Sequence, residues 1–294
     1  MDKKIDYSKI YSPSKLGMFF QCPKQYHFYY LDPIYSRMKN ELKRHPDNIW
    51  KFHTLGKAVH NAITLFYHLP TEQRTERSLL EQLKKTWVSE IQWNKKPPLE
   101  KWGGFKTIEE ERDSYRQAIL MLKNFLEIAE IKPKIEYLPT ENFRRSIDDY
   151  LDLITPLNQN FDISGKFDLI VGDIDSLHII DFKTGKREDV DDFQLRFYRV
   201  LAEAKFKKPV KKASLYFLKK GSIKEFDFEK EKTEEIKKEI IEKIKEIKAT
   251  KNFETRQNKL CQFCLFKTFC PEREKVNEII KGVSEEDYPD DLPF

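Results

Sequence analysis

Apolar residues recur along this chain with two different periods, and the change of period divides it. The run Ser12-Pro13-Ser14-Lys15-Leu16 reads as a helix N-cap with proline in the first turn. Phe19, Phe20, Tyr26, Phe28, Tyr29 and Tyr30 follow, so a helix is predicted over 12–31. Leu55, Val59, Ala62, Ile63 and Phe66 fall at helical spacing within 55–68. Tyr115, Ala118, Ile119, Leu122, Phe125, Leu126 and Ala129 make one face of a long helix over 107–131. The middle of the chain is different. Short strand-like runs occupy 143–147, 162–171 and 177–182, separated by turn residues such as Gly172-Asp173. Helical spacing returns over 189–204, 213–218 is a further apolar strand, and 224–228 alternates as if paired beside it. Residues 229–248 form a charged amphipathic helix with the stripe Ile236, Ile240, Ile244 and Ile247. Helices flanking a central sheet make an α/β fold. The stretches 32–54 and 70–106 carry no pattern that can be interpreted, and Trp87, Trp93 and Trp102 there read as packing residues.

No internal repeat or low-complexity linker interrupts this pattern, so a single unit over 1–283 is expected. It would have a helical part over about 12–135, an α/β core over about 136–228 and a helix with a Cys-rich segment over about 229–283. With 39% apolar and 35% charged residues in 294, the chain can bury a core and is not a disordered one. No run approaches the roughly 18 to 20 apolar residues of a membrane span, and the charged first residues lead into no apolar segment, so a cytoplasmic protein without a membrane partner is expected. The net charge of +5 understates the body's basic character, because residues 284–294 hold Glu285, Glu286, Asp287, Asp290 and Asp291 with no Lys or Arg. A basic body suits a polyanionic partner, although Lys- and Glu-rich surfaces also arise as a solvation habit.

The densest chemistry lies in Gly165-Lys166-Phe167-Asp168 and, eleven residues on, Ile179-Ile180-Asp181-Phe182-Lys183-Thr184-Gly185. Strand period two puts Asp181 and Lys183 on one face. With Asp168 on a paired strand, two carboxylates and an ammonium could hold a hard divalent cation beside a water, which phosphodiester hydrolysis needs. An Asp-x-Lys taken alone is equally a surface hairpin ending in a turn. Its company matters: Gln194 and Tyr198 lie four apart on the following helix, and Gly56-Lys57-Ala58-Val59-His60 sets a histidine one helical turn after a glycine. In this order the four motifs resemble the PD-(D/E)XK nucleases, specifically the RecB- and AddB-type nuclease domains and the CRISPR-associated adaptation nucleases. The resemblance implies a restriction-endonuclease-like mixed sheet flanked by helices. It implies that His60, Asp168 and Asp181, with the carbonyl of Phe182, hold Mg²⁺ or Mn²⁺. It further implies that Lys183 positions or activates the attacking water and that Gln194 and Tyr198 brace the site. Such nucleases carry an acid on the strand before Gly-x-x-Asp, for which Glu141 is the nearest match, although Glu141 could instead pair with Arg144 or Arg145.

All four cysteines of the chain can belong to one site. Cys261-x-x-Cys264-x₅-Cys270-Pro271 is a tight triad, and Cys22, in Phe20-Gln21-Cys22-Pro23, lies 239 positions upstream of it. The count suits a cubane cluster or a structural zinc, and spacing alone leaves iron–sulfur, zinc and unligated thiols open. In RecB-like relatives the same one-plus-three arrangement holds a [4Fe–4S] cluster, which the resemblance therefore implies here, as a staple closing a long loop. The ending Asp290-Asp291-Leu292-Pro293-Phe294 resembles the acidic tip of bacterial single-stranded DNA-binding proteins, so a partner that reads such tails is a further expectation, against an ordinary acidic end. No G-x-x-x-x-G-K-[ST] occurs, so any unwinding would come from a helicase partner. The expected activity is a deoxyribonuclease, acting on single strands or ends. The alternatives are an inactive DNA-binding module that keeps the fold and its cysteine site, and a zinc-stapled adaptor recruited through its ends.

Overall fold

A computed structural model describes residues 5–93, 103–141, 146–185, 192–228 and 230–283. Strand β1 (Ile10–Tyr11) leads into α1 (Pro13–Gln21), whose N-cap Ser12 accepts a hydrogen bond from the Lys15 amide at 3.2 Å. The helix expected over 12–31 does not run through. Pro23 has no N–H to continue it and disfavours helical geometry in Cys22, which is extended (φ −157°), so α2 (Pro23–Tyr26) and a π-helical turn at His27–Leu31 start afresh. The surface helix α3 (Tyr35–Arg44) follows, then α4 (Lys51–His68), α5 (Glu76–Trp93) and α6 (Ile108–Ile128) pack together on Leu55, Ala62, Phe66, Leu79, Leu83 and Phe125. Helix α5 lies wholly in the stretch that had no interpretable pattern. Its buried face holds the polar Gln82 and Thr86 beside Leu79, Leu83 and Trp87, so hydrophobic periodicity sees only part of it. Trp87 is a packing residue, stacked on Phe105 with centroids 5.8 Å apart, and the indoles of Trp93 and Trp102 lie outside the description.

Two sheets follow. The small one runs β1-β4-β3, with β3 (Thr155–Pro156) and β4 (Asp162–Ile163). The larger runs β2-β5-β6-β7-β8, with β2 (Ile135–Tyr137), β5 (Leu169–Gly172), β6 (Leu177–Lys183), β7 (Val210–Phe217) and β8 (Ser222–Asp227). Two expectations are corrected. The strand foreseen over 162–171 is two strands in different sheets, parted at Gly165-Lys166-Phe167-Asp168. The strand foreseen over 143–147 is not one: 146 and 147 belong to helix α7 (Ser146–Asp152), where Ile147 and Leu151 are four apart, and 142–145 lie outside the described residues.

Helix α8 (Phe193–Phe206) makes the crossover from β6 to the parallel β7, and β8 returns antiparallel as foreseen. Strand β6 is therefore central and buried on both faces. Leu177 and Ile179 point into a core shared with α1, α8 and α9 (Thr233–Ala249), whose Ile236, Ile240, Ile244 and Ile247 are all buried. Ile180 and Phe182 point into the core of α4–α6. After α9, the segment carrying Cys261, Cys264 and Cys270 makes two short 3₁₀ turns and ends in α10 (Arg273–Lys281).

Candidate active site

Strand register brings the two aspartates together. The last residues paired between the antiparallel β5 and β6 are Leu169 and Ile180, so one step further along each strand come Asp168 and Asp181. The amide of Phe182 donates to Asp168 Oδ2 at 2.8 Å across this mouth of the ladder, and His60 Nδ1 of α4 lies 3.1 Å from Asp168 Oδ1. On the face turned to α8, Lys183 Nζ stands 2.9 Å from Asp181 Oδ2 and donates to Gln194 Oε1 at 3.2 Å. Gln194 Nε2 in turn donates to the Tyr198 hydroxyl at 3.3 Å. Asp168, Asp181, Lys183, His60, Gln194 and Tyr198, drawn from four segments of the sequence, are thus joined at one end of the sheet.

Two glycines make this closeness geometrically possible. A Cβ on Gly165 would sit 2.8 Å from Tyr198 Cε1, so only a residue without a side chain lets α8 settle against the bend before Asp168. A Cβ on Gly56 would meet Thr184 Oγ1 at 3.1 Å, so α4 approaches the end of β6 through its own glycine.

The electrostatics separate the two acids. Asp181 and Lys183 are almost fully buried, with 7% and 4% of their side chains exposed. A buried ion pair rarely outdoes an apolar pair in stability, because both charges lose their hydration, so its presence needs another reason. Asp168 and His60 are about a quarter exposed, at 24% and 26%. Burial pushes the Asp168 carboxyl up, but the His60 charge, its hydrogen bond, the Phe182 amide and Lys183 together hold it below the usual carboxylate value. Burial pushes the Tyr198 phenol well above its ordinary value, with the charge of Asp181 adding to it, so Tyr198 is a neutral hydroxyl at the site.

Glu141 is not gathered into this group. Its carboxylate, 64% exposed, lies 3.3 Å from His68 Nδ1, two turns beyond His60 on α4. Strand β2 ends at Tyr137, so the chain has already left the sheet before Glu141. Three residues that the sequence did not single out lie close by. Thr184 is buried against Gly56. The Tyr137 hydroxyl is buried without a hydrogen-bond partner among the described residues, and its phenol is raised by burial and then by Asp149, Asp152 and, more weakly, Asp168. Asp149 of α7 also acts on Lys166 and takes the Thr140 amide at 3.1 Å. No spacing rule ties Asp149 or Tyr137 to the motifs; Thr184, next to Lys183, was within reach.

The cysteines also converge. Cys22, Cys261, Cys264 and Cys270 line one cavity between the α1–α2 break and the Cys-rich segment. Burial raises the Cys264 thiol to about 12, the Phe266 amide opposes it, and Cys22, Cys261 and Cys270 each add to the rise. Thiols raised in this way stay neutral at pH 7, and thiolates this close together would form only on a compensating cation such as a bound metal. The segment is tied to the N-terminal helices by the Lys24 amide donating to Glu254 O at 3.0 Å and Arg256 Nη1 donating to Phe20 O at 2.8 Å. Among the described residues no three or more His, Cys, Asp or Glu side chains are drawn together as a ready metal site, at the cysteines or at the aspartates. At the aspartates the donor types fit a hard cation, with His60 adjoining Asp168 and Asp181 next along the ladder. The tail residues Asp290, Asp291, Leu292, Pro293 and Phe294 lie outside the described residues.

A mixed α/β sheet whose central strand ends in Asp-x-Lys, beside a second aspartate from the neighbouring strand, defines a nuclease-type fold and site. A model of the PD-(D/E)XK nuclease superfamily matches residues 10–271, and the chain belongs to that superfamily. No curated protein matches it.

Proposed function

We propose that this protein is a divalent-metal-dependent deoxyribonuclease that hydrolyses phosphodiester bonds in single strands or at DNA ends, in the cytoplasm, for DNA repair, recombination or processing. The observation that carries this reading is the meeting of Asp168 and Asp181 at the mouth of the β5–β6 ladder with the Lys183 ammonium buried 2.9 Å from Asp181. His60, Asp168, Asp181 and the Phe182 carbonyl would hold Mg²⁺ or Mn²⁺, which when bound neutralises phosphate charge and acidifies water. Lys183 steadies the anion that develops as water attacks. Gln194 holds the lysine in place, and the neutral Tyr198 hydroxyl holds Gln194. Cys22, Cys261, Cys264 and Cys270 would hold a [4Fe–4S] cluster, with Zn²⁺ the alternative occupant. Bound there, such a cluster would tie the N-terminal helices to the C-terminal segment, and unwinding would fall to a helicase partner.

The test is cleavage of labelled single- and double-stranded DNA with Mg²⁺ or Mn²⁺. The wild type is expected to cleave and Lys183→Ala and Asp181→Ala to lose at least about 100-fold in rate, the scale of a lost preorganised charge. Cleavage that survives both substitutions rejects the site. Retained DNA binding without cleavage by the wild type would instead favour the inactive module.

A further inference from the structure

Strand register and period two put His178, Ile180 and Phe182 of β6, Lys212, Ser214 and Tyr216 of β7, and Glu225 of β8 on the sheet face turned to α4–α6. Near the end of α4 the helices do not cover that face completely. The Tyr67 hydroxyl donates to Glu130 O at 2.8 Å, and Arg74 donates to the carbonyls of Tyr67 and Ile131 at 2.7 and 3.0 Å, so these segments are tied into a roof. Between roof and sheet lies a cavity of about 170 Å³. An apolar cavity of roughly 150 Å³ takes up a benzene ring, so the space is that of one six-membered ring. Leu169, Ile180 and Phe182 give it an apolar side. Tyr216 also lines it and is only 7% exposed, yet its hydroxyl makes no hydrogen bond with a described residue. Burial first, and then Glu225 and Glu130, raise this phenol, so it is a neutral donor.

A buried donor without a partner costs free energy, and an occupant that accepts from it would offset that cost. Lys212 Nζ, 2.9 Å from Glu225 Oε1, adds a second donor and an acceptor at the mouth, where these side chains are 46% and 59% exposed. Glu225 pairs with Ser214, which lies between Lys212 and Tyr216 on β7, so the rim reads donor, acceptor, donor. Glu130 and Glu225 outnumber the one lysine, which disfavours a phosphate or a carboxylate there. A flat ring with apolar faces and an acceptor–donor–acceptor edge meets these demands, and the imide edge of a pyrimidine, C=O, N–H, C=O, is such an edge. We infer that this cavity binds a free imide pyrimidine base, uracil or thymine, whose ring lies on Ile180 and Phe182, whose N–H donates to Glu225 and whose two carbonyls accept from Tyr216 and Lys212. Phe182 joins the cavity to the proposed active site, since its amide holds Asp168, but binding here does not depend on whether that site cleaves.

The experiment titrates the full chain with uracil, thymine and cytosine and follows binding by saturation-transfer NMR, with circular dichroism to check that each variant is folded. Uracil or thymine is expected to bind saturably. Cytosine sets an acceptor where the imide has its N–H, opposite the Glu225 carboxylate, and is expected to bind at least about tenfold more weakly. Tyr216→Phe keeps the ring and loses the hydroxyl, and should weaken the imide base at least about fivefold, the scale of one hydrogen bond. Glu225→Gln, at the exposed mouth where the fold tolerates change, can turn an amide donor to the ring nitrogen and should narrow the uracil-to-cytosine ratio to about threefold or less. Equal binding of uracil and cytosine by the wild type, undiminished binding by Tyr216→Phe, or an unchanged ratio in Glu225→Gln overturns the assignment. So does the absence of saturable binding by either imide base, which would leave the cavity to water. Failure of the nuclease reading looks different: the wild type cleaves no DNA with Mn²⁺ while uracil still binds.

Discussion

Asp181 and Lys183 share a strand face by period two alone, yet what makes them a site is how little room surrounds them. Gly165 faces Tyr198 at a distance no Cβ could occupy, 2.8 Å from an aromatic edge, whereas Gly56 faces a hydroxyl at 3.1 Å that can turn aside. Gly165→Ala is therefore expected to cost about 1–3 kcal/mol in thermal unfolding, because a ring and its helix must shift, and to lower cleavage at least tenfold by moving the Tyr198–Gln194–Lys183 chain. Gly56→Ala should cost under about 1 kcal/mol. Equal losses at the two glycines would contradict this account of the packing. On the opposite face of β6, His178 bonds Ser214 at 2.8 Å, and burial first, then the Lys212 charge, lower its imidazole from 6.5 to about 4. The unfolded chain binds this proton first as pH falls, so His178 leaves stability untouched above pH 6.5 and erodes it between 6.5 and 4, by about 3 kcal/mol at the lower end. Unfolding midpoints followed across that window should fall less steeply in His178→Gln, which keeps a partner for Ser214 and does not titrate.

The elements that position the site were the ones whose patterns are dense. The stripes of α4, α6 and α9 and the apolar β6 are legible because each buries several residues per two turns, or both faces of a strand. Helix α5 buries the polar Gln82 and Thr86 beside its apolar residues, and the break at Gly165 lies inside an apolar run, so neither shows in periodicity; both depend on what packs against them. His60, Asp168, Asp181 and Lys183 were legible through motif order, which survives when long-range geometry is unknown. Glu141 was misplaced because the chain leaves β2 at Tyr137, and Asp149 was missed because it lies on a helix, α7, where the sequence predicted no helix. The Cys-rich segment is an element held by contacts as well as by its cysteines: Phe263 packs on Trp50 at 4.9 Å and Phe52 at 5.4 Å, at the start of the helix that carries His60. Cys264→Ser and Cys22→Ser are each expected to abolish visible absorbance from a cluster and to speed proteolysis within 250–283, while Asp181→Asn alters neither. Colourless wild-type protein carrying zinc would replace the cluster with the other occupant.

At the scale of the molecule, β6 divides two cores, one with α1, α8 and α9 and the other with α4–α6, and the groups proposed to act in catalysis emerge where the two meet at the strand's end. His60 comes from the helices of one core, Gln194 and Tyr198 from the other, and the aspartates from the sheet between them. The match to the superfamily spans both cores and the Cys-rich segment, and no helix among the described residues is long and apolar enough to cross a membrane. Groups drawn from both sides that act on one phosphate must fail together rather than separately. The most direct measurement is a double-mutant cycle on Mn²⁺-supported cleavage of single-stranded DNA with Asp168→Asn and Lys183→Met. If the two serve one reaction centre, each alone costs at least about 100-fold and the pair together costs little more than the worse single change. Rate losses that simply multiply, or a single change that leaves cleavage intact, would contradict a shared site.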